Sequence, residues 1–164
     1  MRVRSIGTGN KRDSRPFFFF QAMTYGFALF GALAGTGGLS AMSPPPLAVS
    51  RMMFYPVGLV LCFLTAAAAY FIWTGGGQGG VPALRLYILQ LMVMCLWPWL
   101  FFRLHWQLFA FFWGLLLLGL ISLTMAGFRL CRPVCYWLML PYLLWTLYTV
   151  YLNLGYYLLN SLPT

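Results

Sequence analysis

Residues Leu108 to Phe128 read LFAFFWGLLLLGLISLTMAGF, a run of 21 positions without a charge. An α-helix rises about 1.5 Å per residue and the hydrocarbon core of a bilayer is about 30 Å thick, so this run is long enough to cross it. On its N-terminal side lies a short polar break made by Arg103, His105 and Gln107, preceded by another apolar run from Pro82 to Phe102. So short a break makes the two helices antiparallel neighbours. On its C-terminal side Arg129 to Pro133 makes the next turn, and Val134 to Leu159 forms a further apolar run, long enough to tilt or project beyond the core.

Further out, the run from Met53 to Trp73 ends in Thr74-Gly75-Gly76-Gly77-Gln78-Gly79-Gly80, which composition predicts to be a flexible connector. Phe17 to Gly38, rich in Gly and Ala, precedes Ser43-Pro44-Pro45-Pro46, where no helix continues. A basic start followed by an apolar run also describes a secretory signal cleaved near Ala41. The run exceeds the roughly 7–15 residues of a signal core, which favours a membrane helix. Residues 1–16, MRVRSIGTGNKRDSRP, hold five of the ten positive charges and are expected to be a disordered tail. The expected architecture is thus all-α and membrane-integral: a basic tail over 1–16 and a five-transmembrane-helix bundle over 17–164. Its spans lie near 17–38, 53–73, 82–102, 106–128 and 134–160, with Pro56, Pro98 and Pro141 inside spans as kink points.

Composition agrees. The 164 residues are 62% hydrophobic and 7% charged, against about 25% charged in a soluble domain. The net charge of +9 would suit nucleic acid, but its basic residues sit between apolar runs, so the expected partner is membrane lipid with anionic headgroups and not nucleic acid. With five spans the positive charges divide eight to two between the sides, which predicts a cytoplasmic N-terminus, in a bacterial cell membrane as the favoured location. The only carboxylate side chain is Asp13 and the only histidine is His105, too little for acid–base catalysis, and Cys62, Cys95, Cys131 and Cys135 make no CxxC pair. Neither an enzyme nor a metal site is expected. Gly31 and Gly35, with Ala28 and Ala32 beside them, would let two helices approach closely, either in a homodimer or inside one chain.

Aromatic residues make up 20% of the chain. Trp99, Trp106 and Trp137 fall near span ends and are read as an interfacial belt. Trp97 and Trp145 lie beside prolines or polar residues within spans, where an indole makes a good wall for a flat apolar ligand.

From Leu86 onward the order of residues resembles the translocator protein family, also called tryptophan-rich sensory proteins or peripheral benzodiazepine receptors. The matching pieces are Leu86-Tyr87, Gln90-Leu91, Trp97-Pro98, Phe101-Phe102, Pro141-Tyr142-Leu143-Leu144-Trp145, Leu152-Asn153 and Asn160. The resemblance implies a five-helix bundle, often a dimer, with a pocket for porphyrin, heme, sterol-like or benzodiazepine-like ligands and a sensory or carrier role. Carried over position by position, it implies Trp97, Phe109, Leu116, Trp145, Thr149 and Leu152 at the pocket, with Met94 where the family has an asparagine. Leu59 stands in place of the second helix's usual tryptophan, and Ser40 to Ser50 replace a Trp-Tyr loop. Loss of that tryptophan argues against porphyrin breakdown as an activity. The alternative is a membrane scaffold that keeps the fold and has lost tetrapyrrole binding.

Overall fold

The computed structural model describes residues 14–33, 43–49, 51–75 and 77–161. Most of the basic tail and residues 34–38 of the first expected run lie outside them. Apart from residues 43–49 and the short turns between helices the described chain is helical, as a lipid solvent requires: with no water to satisfy backbone groups, the bonds must close within each segment. Five helices follow in order: α1 (Arg15–Ala32), α2 (Arg51–Gly75), α3 (Gly80–Pro98), α4 (Gln107–Cys131) and α5 (Pro133–Ser161). They form a closed ring in which α1 packs on α2 and α3, α4 on α3 and α5, and α2 on α5.

Four of the five, Met53–Gly75, Gly80–Arg103, Gln107–Cys131 and Pro133–Asn160, are long and apolar enough to cross a membrane. The described part of α1 is 18 residues long and includes Arg15 and Gln21; it falls short of that standard, so the expectation of five spans is met in helix number and in only four spans. The outer surface is unlike that of a soluble protein. Large apolar side chains such as Leu89, Phe112, Leu123 and Leu144 stand exposed around the bundle, and this is the face lipid covers.

Between apolar helices in lipid there is no hydrophobic drive to associate, so close packing of small residues carries the contact. Ala66, Ala68 and Ala69 in α2 are fully buried at the centre. Gly31 of α1 fits against α3 so closely that an added Cβ would lie 3.2 Å from the Cys95 carbonyl oxygen and 3.3 Å from Pro98 Cγ. Gly31 is therefore spent inside the chain; Gly35, its expected companion, lies outside the described residues.

The elements differ from expectation at two places. The glycine-rich connector is a tight hairpin: Gly77, at φ +58°, opens one 3-10 turn to Gly79, and Gly80 begins α3 with its Cα against the Ile72 carbonyl, where a Cβ would come within 3.3 Å. Glycine serves close approach there. At the other end of α3, Pro98 has no N–H to donate and its ring crowds the preceding turn. The α-helix ends at Pro98 and the chain continues as a π-helical turn over Trp99–Arg103, closed by Leu104 N–H to the Trp99 carbonyl at 3.0 Å. Pro133 then starts α5 directly after Arg132, a good first helical position for proline because the N–H there lacks an intrahelical partner.

Candidate ligand cavity

The ring of helices surrounds a cavity of about 1090 Å³ in the half of the bundle nearest residues 43–49. Trp97 and Trp145 both line it, on α3 and α5. Trp97 stacks on Phe101 with centroids 5.5 Å apart and planes 14° from parallel, and Phe101 in turn meets Tyr156 edge-on at 5.8 Å. Trp145 meets Phe54 of α2 at 5.2 Å and Tyr148 at 5.4 Å. Each indole is thus fixed by a second ring.

Of the positions implied by resemblance, Met94, Trp97, Trp145, Thr149 and Leu152 line this cavity together, and Phe109 and Leu116 do not. Those two point outward, 48% and 49% exposed. The inward stripe of α4 is Ala110, Gly114, Leu117 and Ile121, one position further along, and one residue turns a side chain by about 100°. Gly114 and Leu117 supply the α4 wall. Gly114 has no room for a Cβ, which would lie 2.7 Å from Val150 Cγ2 of α5. A glycine in the middle of an apolar helix was the sequence signal for that contact.

The polar atoms of the wall are mostly used. Thr65 donates to the Leu61 carbonyl at 2.9 Å, Thr146 to Tyr142 at 2.9 Å and Thr149 to Thr146 at 2.8 Å. Thr24 donates to the Phe20 carbonyl at 2.8 Å, which leaves Tyr87 to donate its hydroxyl to Thr24 at 2.5 Å. Among the described lining residues there is no Asp, Glu, Lys, Arg or His. The arrangement suits recognition by stacking and apolar contact. For heme iron the wall offers sulfur from Met94, Cys62 and Cys95, while the one histidine, His105, sits exposed in the turn before α4. Among the described residues no three His, Cys, Asp or Glu side chains gather to hold a metal ion. Behind the wall, Gln90 and Asn153 are buried, and both side-chain polar atoms of Gln90 and Nδ2 of Asn153 have no hydrogen-bond partner among the described residues.

Residues 43–49 close one end. Tyr148 donates to the Leu47 carbonyl at 2.8 Å and accepts from Val49 N–H at 3.1 Å, and Tyr151 donates to the Pro46 carbonyl at 2.9 Å. These tyrosines were not singled out from sequence, because they lie in the middle of an apolar run with other tyrosines and nothing in the run sets these two apart.

Residues 19–158 of this five-helix, aromatic-walled bundle match the TspO/MBR family. The chain belongs to that family. No curated protein matches the chain significantly. As a TspO/MBR member it is an integral, multi-pass membrane protein of a ligand-binding, translocator type. It carries that fold with Leu59 at the edge of the cavity, more than half exposed, and with a proline-rich segment, pinned to α5, over the cavity's end.

Proposed function

We propose that this TspO/MBR protein binds flat, largely apolar ligands of porphyrin, heme or sterol type in the cavity, and acts as a sensor or carrier for them and not as an enzyme. The observation that carries the reading is the pair Trp97 and Trp145 in the wall of one uncharged cavity of about 1090 Å³. Such cavities, apolar with few polar groups, are the usual form of small-molecule sites. We further take α1 as a fifth span. Its 18 residues rise about 27 Å, close to the ~30 Å of hydrocarbon, and its side chains Phe17 and Phe30 meet Tyr70 near one end of α2 and Trp99 just past the far end of α3. With Arg15, Arg85, Arg129 and Arg132 at the same end of the bundle, that end is the cytoplasmic one. Titrating the detergent-purified chain with protoporphyrin and with heme while following tryptophan fluorescence tests the reading: saturable quenching is expected. If neither ligand quenches, the scaffold role replaces it.

A further inference from the structure

A heme iron brings its equatorial nitrogens with it, so a protein needs to add only an axial donor, and no cluster of ligating side chains is required. The side chains that serve are histidine, cysteinate, methionine and tyrosinate. Histidine is absent from the described cavity wall, which holds the other three kinds: the thioether of Met94, the thiols of Cys62 and Cys95, and the hydroxyls of Tyr25, Tyr55, Tyr142 and Tyr156.

Cysteine and tyrosine ligate only after losing a proton, and no described residue of the wall carries a positive charge to hold the resulting anion. Their positions add to that cost. Cys95 turns back on its own helix, its thiol donating to the Met92 carbonyl at 3.1 Å, and Tyr25 donates to the Leu59 carbonyl at 3.0 Å. Cys62, Tyr142 and Tyr156 are buried, and Tyr55 is more than half exposed at the start of α2. A thioether is a neutral donor with no proton to lose. Met94 is the one thioether among the described lining residues, it is only half-buried, and its unbranched side chain turns about three bonds to present the sulfur.

Its place on the wall fits the same role. Met94 precedes Trp97 by three residues, so the two share a face of α3, with Cβ atoms about 5–6 Å apart. Phe101, one turn beyond, stacks on the indole with centroids 5.5 Å apart and planes 14° from parallel. Along the helix the indole thus stands between Phe101 on one side and Met94 on the other, and a flat ring laid on its free face comes within reach of the thioether. We propose that Met94 is the axial ligand of a heme bound in the cavity, so that the site takes the iron-bearing macrocycle in preference to the metal-free one. The proposal rests on the reading that the cavity holds a porphyrin-type ligand. Methionine ligation raises the reduction potential of heme iron, so the ferrous form is the one held more firmly.

The test uses the full chain, produced with selenomethionine in place of methionine, loaded in detergent with ferrous iron protoporphyrin and read by X-ray absorption at the iron edge. Selenium then marks a thioether and sulfur marks only cysteine. Selenium in the first shell of the iron is expected, together with its loss in Met94→Leu. Fluorescence titrations with heme and with metal-free protoporphyrin give a second readout: Met94→Leu lowers the ratio of heme affinity to protoporphyrin affinity, whatever it does to either alone. Nitrogen and oxygen neighbours only, sulfur in place of selenium, or selenium that persists in Met94→Leu overturns the assignment. The first two outcomes are read on the parent sequence, where the folding of a variant plays no part. Protoporphyrin quenching in the parent without selenium at the iron refutes the ligation and leaves the ligand reading standing; quenching by neither macrocycle refutes both.

Discussion

Asn160 and Ser43 are joined at both ends of the asparagine amide: Ser43 N–H donates to Oδ1 at 2.7 Å, and Nδ2 donates to the Ser43 carbonyl at 3.1 Å. The side chain thus pairs with the loop backbone as a neighbouring strand would, and ties the start of the proline-rich segment to the last turn of α5. Only an amide carries both a donor and an acceptor in that geometry. Asn160→Ala removes both bonds. At an exposed end the loss is about 1 kcal/mol in total, or roughly a fivefold change in an opening equilibrium. Exchange of the Val49 amide hydrogen, which Tyr148 protects, should speed up by about that factor in membranes, and Asn160→Gln should not restore the parent rate if the reach of the side chain matters.

Gly155 lies beneath the same segment. A Cβ there would sit 2.6 Å from Pro45 Cβ and 3.0 Å from Pro45 Cγ, and the proline ring has little freedom to yield. Gly155→Ala is expected to cost about 1–3 kcal/mol, the usual range for overpacking, seen as a lower melting temperature in detergent. Gly26→Ala meets open space, and its melting temperature should stay or rise slightly, as alanine favours helix. Equal effects at the two glycines would contradict the close contact at Pro45.

The helices were legible from sequence because a lipid-crossing run is a matter of length and apolarity, and Leu108 to Phe128 supplies both. Their rotation was not. With leucine at 115 to 118 the fourth helix is apolar on every side, so no polar stripe fixes its inner face, and the register taken from resemblance set Phe109 and Leu116 inward where Ala110 and Leu117 stand. α5 fared better because Trp145, Thr149 and Leu152 recur at helical spacing beside Pro141, and all three reach the cavity. Glycines misled in the connector, where packing at Gly80 outweighs flexibility, and informed at Gly31; Gly114, which marks a close approach of the same kind, was not read.

Topology follows from charge. Arg15, Arg85, Arg129 and Arg132 share one end of the bundle, and Arg103 lies at the other. A cytoplasmic N-terminus and a C-terminus on the opposite side are the expected outcome when reporters that are active on one side only are fused to each end. Both reporters on one side would mean that α1 does not span, leaving the four helices that meet the length and composition standard.

The sharpest test of the cavity compares residues that sequence treated alike. Trp97, Trp145, Phe109 and Leu116 were all expected at the pocket, but only the first two line it. Stacking on an indole contributes about 1 kcal/mol beyond the burial of apolar area, itself about 25 cal/mol per Å². Trp97→Ala and Trp145→Ala should each weaken protoporphyrin binding by roughly tenfold or more, since ~1.4 kcal/mol is a factor of ten. Phe109→Ala and Leu116→Ala remove comparable apolar side chains from the lipid face and should leave affinity within about twofold, as should Trp137→Ala, whose indole is 66% exposed. Because truncation in a packed wall also lowers stability, each variant is compared at a temperature where its helical circular dichroism equals the parent's. Should Phe109→Ala match the two tryptophan variants, the fourth helix is turned by one residue from the arrangement described, with Phe109 and Leu116 in the inward places that Ala110 and Leu117 hold here.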